Sequence, residues 1–301
     1  MGEAMDIITT VREMRRLRSG WSALSSVGLV PTMGYLHEGH LSLVRRARAE
    51  NDKVVVSIFV NPIQFGAHED LERYPRDLSR DLHLLEESNV DAVLVPTASE
   101  MYPPTFITYV EPSGPLASEA EGASRPGHFR GVATVVLKLF NIVQPQRAYF
   151  GQKDAQQVAV IKALVADLNL PVEPVIMPTV REPDGLAMSS RNSYLSPGGR
   201  RAATVLYRAL LAGKAAYEQG VSDGPAGVVR VMREIVASEP LARLEYADVR
   251  DPETFQPLET LRAPALLLIA AFVEAARLID NVLLRADGSW ETGLIVPPLA
   301  S

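Results

Sequence analysis

Val27-Gly28-Leu29-Val30-Pro31-Thr32-Met33-Gly34-Tyr35-Leu36-His37-Glu38-Gly39-His40 is the run on which the fold turns. Val27 to Val30 is apolar and reads as a short buried strand, which Pro31 and Gly34 stop. Leu41, Val44 and Ala47 then share one side of a helical pattern, with Arg45, Arg46 and Arg48 on the other. His37 and His40 therefore flank Gly39 where a strand hands over to a helix. A helix N-terminus presents unpaired N–H groups and the positive end of the dipole, so anions dock there, and an imidazole beside it donates to their oxygens. Gly39, without a side chain, lets a flat ring or a phosphate approach the backbone.

The same alternation continues downstream. Lys53 to Val60 is apolar on both faces, as in a covered parallel sheet, and ends in Asn61-Pro62-Ile63-Gln64. Asp77 to Ser88 is helical, Asp91 to Pro96 a strand, and Val132 to Val143 an apolar buried helix. Arg147 to Phe150 is a strand ended by Gly151-Gln152-Lys153-Asp154; a helix at Ala155 to Leu168 and a strand at Val172 to Met177 follow. This is the pattern of an α/β fold with a doubly wound, Rossmann-like parallel sheet. Right-handed crossovers put the strand C-termini on one edge, so the histidine, Asn61/Gln64 and Lys153 turns are expected there. Met5 to Arg18 reads as a leading helix, Ala67 to Arg80 as a charged segment able to move over the site, and Met101 to Gly127 as a Pro-, Gly- and Ser-rich excursion.

After Pro178 the character changes. A polar segment containing Met188-Ser189-Ser190-Arg191 leads into helices at Pro197 to Gln219 and Pro225 to Ser238. Strands at Leu244 to Arg250, Ala265 to Val273 and Arg277 to Leu284 follow, and Ala286 to Ser301 reads as a loose tail. The expectation is a domain over 1–178 and a smaller C-terminal α+β domain over 179–301.

Composition narrows the function. The chain has 301 residues, 47% hydrophobic and 22% charged, as in soluble globular proteins. A net charge of −6 gives no basic footprint for nucleic acid. With no cysteine, disulfides and thiolate chemistry are excluded. No apolar run is long enough for a membrane span and the charged N-terminus lacks a signal-peptide core, so a cytoplasmic location is expected. A zinc site at His37 and His40 lacks a further ligand nearby. Taken singly, each polar residue has a plainer reading: Lys153 an exposed lysine, Asp154 a helix cap, Val180 packing, Ser189 and Ser190 a linker, Gln64 and Gln157 surface amides.

Taken together, the motifs are specific. Pro31-Thr32-Met33-Gly34 with His37-Glu38-Gly39-His40 resembles the signature of the pantoate–β-alanine ligase (pantothenate synthetase) family, within the wider His-x-Gly-His nucleotidyltransferase superfamily. Ser57 to Phe65, Arg125 to Val132, Phe150 to Gln157, Asp184 to Asn192 and Ala276 to Asn281 match the same family in order. The resemblance implies ATP-dependent condensation of pantoate with β-alanine through pantoyl adenylate, with Mg²⁺, in a homodimer. It implies ATP contacts by Met33, Gly34, His37, Gly39, His40, Gly151, Lys153, Asp154, Val180, Met188, Ser189, Ser190 and Arg191. His40 is the usual proton donor, and Lys153 and His37 join it in catalysis. Gln64, Gln157, Asn61 and Met33 would hold pantoate, Gln64 also β-alanine, and Asp81 the metal; Arg125 and His128 fall near the pocket. Three positions depart from the family pattern: Arg80 stands where some members carry a second acid, Gln152 where many carry glutamate, and Glu274 where many carry glycine. Another nucleotidyltransferase would lack the two glutamines, and a non-catalytic nucleotide binder would be expected to have lost a histidine or the lysine.

Overall fold

The computed structural model describes residues 4–296. The chain packs into two compact units, Met1–Gly151 with Val160–Met177, and Gln152–Ala159 with Pro178–Ser301. Where the sequence suggests a single cut between 178 and 179, residues 152–159 thus group with the second unit.

The first unit runs β1 (Asp6–Ile8), α1 (Val11–Gly20), β2 (Val27–Thr32), α2 (Glu38–Glu50), β3 (Lys53–Ile58), α3 (Leu78–Glu87) and β4 (Ala92–Leu94). Three one-turn helices follow, α4 (Ala98–Met101), α5 (Pro115–Ser118) and α6 (Glu121–Ser124), then α7 (His128–Val143), β5 (Arg147–Gly151), α8 (Ala155–Asp167, from Val160 onward in this unit) and β6 (Glu173–Met177). The sheet order is β1-β4-β3-β2-β5-β6, and every neighbouring pair is parallel. The turns leaving β3, β2 and β5 therefore depart from one edge, the ligand edge of open α/β sheets. Val54, Val55 and Val56 are all fully buried, as a strand covered on both faces requires. Val30, Val44, Val56, Leu85, Val93 and Tyr149 share one apolar core.

The helix expected over Met5 to Arg18 is instead a strand and a shorter helix. Asp6–Ile8 pairs with β4. Thr10 is extended, with φ −122°, and forms a capping box with Glu13. Thr10-x-x-Glu13 is the sequence signature of such a start, and it fixes where α1 begins. The 67–80 segment is organised by turns: Tyr74 is buried, and Arg76 donates to the carbonyls of Leu71 and Tyr74 at 2.8 and 2.9 Å.

The second unit contains β7 (Val180–Arg181), α9 (Pro197–Ala202), α10 (Val205–Glu218), α11 (Gly224–Ala237), β8 (Ala242–Arg250), β9 (Ala265–Val273), β10 (Ala276–Leu284), β11 (Trp290–Glu291) and β12 (Leu294–Ile295). Its main sheet is antiparallel in the order β11-β10-β9-β8. Leu206, Leu210, Val228, Met232, Leu267 and Ile269 lie in its core. The single helix expected over Pro197 to Gln219 breaks after Ala202, where the Thr204 hydroxyl donates to the Arg201 carbonyl at 2.8 Å and competes with the helical ladder. The expected loose tail is partly ordered: β11 pairs with β10 and β12 with β7. Residues 297–301 of that tail lie outside the described residues. Glu274 occupies the β9–β10 turn with φ +52°, a left-handed conformation that favours glycine, and its carboxylate accepts from the backbone and hydroxyl of Ser196 at the start of α9. No helix among the described residues is long and apolar enough to cross a membrane.

Candidate active site

The histidine turn is shaped by two consecutive positive φ angles, Gly34 at +82° and Tyr35 at +51°. Asp81, on the first turn of α3, holds this conformation. Its two oxygens accept the Tyr35 and Leu36 N–H groups, each at 2.7 Å. Arg80 Nη1 donates to the Leu36 carbonyl at 2.8 Å. A Cβ on Gly34 would lie 3.0 Å from Asp81 Oδ2, so glycine is needed for space as well as for φ. Asp81 is 1% exposed, and burial raises its pKa against the lowering effect of the two backbone donors.

Both oxygens of Asp81, expected to face a metal, accept backbone N–H groups beneath the turn. Arg80 and Asp81 together form a clamp on Tyr35–Leu36. No cluster of three or more His, Asp or Glu suited to a metal occurs among the described residues. The Gly34 N–H donates to Thr32 Oγ1 at 3.2 Å within the same turn.

His37 is the N-cap of α2, and its ring centroid lies 4.0 Å from that of His40. The His37 N–H donates to His40 Nδ1 at 3.3 Å. Nδ1 is thereby an acceptor, and in the neutral ring the proton resides on Nε2. Gly39 lies between them on the first turn of α2.

Past β3, Asn61 Nδ2 donates to Gln64 Oε1 at 2.9 Å and to the Gly131 carbonyl at 3.1 Å. The Tyr102 hydroxyl donates to Asn61 Oδ1 at 2.8 Å. With Oε1 committed, the Gln64 amide turns its Nε2 donor to Met33 Sδ at 3.4 Å. A thioether is a weak acceptor, so an incoming oxygen competes with it readily. The Gln64 backbone is fixed as well. His128 Nδ1 lies 2.9 Å from its carbonyl oxygen, and Arg125 Nη1 lies 3.1 Å from His128 Nε2. Because the guanidinium only donates, Nε2 accepts and Nδ1–H donates. Arg125 also forms a two-point pair with Glu69 at 2.9 and 2.6 Å. Burial, reinforced by the Arg125 charge, pushes the His128 pKa down to about 4, so the ring is neutral. Arg125 and His128 are thus supports for Gln64 rather than open pocket groups. Gly131 completes the support: a Cβ there would lie 2.5 Å from the Ile63 carbonyl oxygen and 2.6 Å from Gln64 Cα.

The second unit holds the remaining candidates. Gln152–Asp154 forms a 3₁₀ turn after Gly151, the last residue of β5. Lys153 Nζ lies 3.6 Å from Asp154 Oδ1. Gln157 is half-buried in the first turn of α8. Lys153, Ser189, Asn192 and Asp280 line one cavity of ≈ 10 Å³, the room of about one water. The lysine and the serine loop are therefore brought together. That loop starts from Val180, whose carbonyl accepts the Met188 N–H at 2.9 Å. Ser189 Oγ caps the Ser190–Tyr194 turn by accepting the Arg191 N–H at 3.3 Å. Arg200 binds both Glu182 and Asp184, holding the Asp184 carboxyl below its usual range. Sequence reading misses Tyr102 and the uses of Gly131, Arg181 and Asp280. Only Gly131 leaves a trace, as a glycine within an apolar helical run.

A family model described as Pantoate-beta-alanine ligase matches residues 6–283. The chain is 59% identical over 282 residues to a pantothenate synthetase of Roseiflexus sp., covering 94% of this chain and 100% of that one. A crystal structure of pantothenate synthetase from Thermus thermophilus superposes with a TM-score of 0.87 at 53% identity, covering 92% and 98% of the two chains. Another, pantoate-beta-alanine ligase from Francisella tularensis complexed with beta-gamma ATP and beta-alanine, has a TM-score of 0.77 at 36% identity, covering 93% and 98%.

Proposed function

The chain belongs to the pantoate-beta-alanine ligase family, and we propose that it condenses (R)-pantoate with β-alanine in two ATP-dependent steps. A pantoate carboxylate oxygen attacks the α-phosphorus of ATP, the bond to the bridging oxygen breaks, and pyrophosphate leaves. The β-alanine amine then attacks the acyl carbon of pantoyl adenylate, loses a proton, and expels AMP. The observation that carries this reading is the paired imidazole turn, with His40 Nδ1 committed to the His37 N–H. That commitment leaves Nε2–H as the donor to phosphate oxygen as charge builds in the first step.

Attack at phosphorus is mostly positioning and charge stabilisation. His37 and His40 supply donors to the triphosphate, and the Lys153 ammonium and the Met188–Arg191 loop supply charge and hydroxyl donors. Asp154 accepts from the ribose, and Val180 lines the adenine. Met33, Gly34, Gly39 and Gly151 leave the backbone accessible beside the ligands. Gln64 and Gln157 read pantoate, helped by Asn61, and Gln64 then meets β-alanine. An amide offers both donor and acceptor without a positive charge that would pair with the attacking carboxylate and blunt it. No step is routed through a protein-held metal. A cytoplasmic homodimer is part of the same proposal.

Release of pyrophosphate from ATP tests it directly. Release is expected only with pantoate present, and AMP accumulation is expected to require β-alanine as well. Binding of ATP with no turnover in the presence of both acids would overturn the reading.

A further inference from the structure

Asn281 lies on β10 and is 3% exposed. Its Nδ2 donates to two successive carbonyls of the turn that carries Lys153, Gln152 at 3.0 Å and Lys153 at 2.9 Å. Its Oδ1 accepts from Gln152 Nε2 at 3.4 Å. Both amide donors are thus spent on the backbone of one short turn. The preceding residue, Asp280, binds Arg181 through two bonds of 2.6 and 2.9 Å and accepts the Asn281 N–H at 2.7 Å. Arg181 is fully buried, lies 4.1 Å over the Tyr207 ring, and donates to the carbonyls of Gly185 and Asn281 at 3.0 and 3.2 Å. Gly185 closes the turn that leads into Met188–Arg191, its N–H donating to the Glu182 carbonyl at 2.8 Å. Adjacent residues of one strand, pointing to opposite faces, thereby fasten the lysine turn and the serine loop to the same rung of β10.

We infer that Asn281 is a positioning residue that sets the backbone of Gln152–Lys153 and so the point from which the Lys153 ammonium reaches phosphate. The Arg181–Asp280 pair keeps the serine loop in register with it. This inference rests on the proposed role of Lys153. Two features favour positioning over plain packing. The bonded atoms are the carbonyls of the lysine turn itself, and the anchoring group is neutral. A carboxylate in its place would oppose both carbonyls and offset the ammonium.

Asn281→Asp is nearly isosteric and removes both donors, and Asn281→Ala removes them without adding charge. Either is expected to slow pyrophosphate release by on the order of a hundredfold, the scale of a misplacement of about one ångström. The KM for pantoate is expected to hold. The deciding measurement combines each with Lys153→Met. If Asn281 acts through the lysine, the double variant is no slower than Lys153→Met within about twofold. Multiplying losses would overturn the inference while leaving the lysine's role intact. Near-normal turnover in Lys153→Met alone would instead sink the lysine's role, and this inference with it. Should Asn281→Asp fail to fold, the Asn281→Ala cycle gives the same decision.

Discussion

The histidine turn is gripped by charge from nearby chain: Asp81 reaches Tyr35 and Leu36 over sequence separations of 46 and 45 residues. The lysine turn is gripped by a neutral amide 128 residues from Lys153. The difference follows from what each turn presents. Around the histidines, an anion beneath the N–H groups of Tyr35 and Leu36 locks a strained pair of φ angles, and those N–H groups are withdrawn from ligand binding. At the lysine turn the groups to be satisfied are the carbonyls of Gln152 and Lys153, which only a donor can hold, so an amide does the holding. A turn that presents N–H groups thus takes an anion as its anchor, and one that presents carbonyls takes a donor.

Perturbations of increasing delicacy probe this contrast. His40→Ala is expected to lower pyrophosphate release by roughly two or more orders of magnitude, as for a lost transition-state donor, with only the small fall in melting temperature that loss of the His37 N–H bond brings. Near-normal turnover would remove the imidazole from the chemistry.

Acid is expected to loosen the Gln64 support. His128 titrates at about 4 in the folded chain against 6.5 ordinarily. As pH falls from 6.5 to about 4, the unfolded chain takes up a proton that the folded chain refuses, so stability falls with pH across that window. The loss reaches at most about 3 kcal/mol. His128→Gln should flatten the urea-derived stability over that range; an unchanged slope would assign the acid sensitivity elsewhere.

Asp81→Asn replaces one acceptor with a donor facing a backbone N–H, and a loss of about 1–3 kcal/mol in unfolding free energy is expected. The Mg²⁺ concentration giving half-maximal turnover should stay put. A shifted magnesium dependence with normal stability would instead assign Asp81 to the metal.

The smallest effect is expected from Gln64→Ala. The pantoate KM should rise by about tenfold, the worth of one or two hydrogen bonds, while that for ATP holds. Equal losses for both ligands would indicate a disturbed fold.

The sequence reports what is local. The β2–α2 run was legible because apolar alternation, Pro31, Gly34 and the histidines are contiguous, and the parallel sheet followed from the repeated strand–helix rhythm. The β1–α1 boundary was hidden because Ile7, Ile8 and Val11 also fit a helical stripe; only the capping box separates them. The break at Ala203–Thr204 carries a hydroxyl bond from Thr204 to Arg201, and no glycine or proline between Arg200 and Val205 signals it. Among site residues, those that touch ligands by resemblance sit in recognisable runs. Their supports do not: Asp81 looks like any exposed acid until its distance to the Tyr35 N–H is known, and Tyr102 sits in a stretch without periodicity. A residue's partner across dozens of positions is a property of the folded chain, so the brace that Asp81 makes with Tyr35 and Leu36 is not legible in the sequence.

Gly131 has a consequence for anyone wishing to alter which acid is accepted. With its missing side chain filled by the Ile63 carbonyl and Gln64 Cα, and with His128 on the Gln64 carbonyl, the main chain at 64 has nowhere to retreat. Substitutions there change the length of the reaching arm while its shoulder stays fixed. A series of Ser, Asn and Gln at that position is accordingly a ruler for the proposed contact with the acid, and the hydroxy acid best matched to each length gauges the gap it has to span.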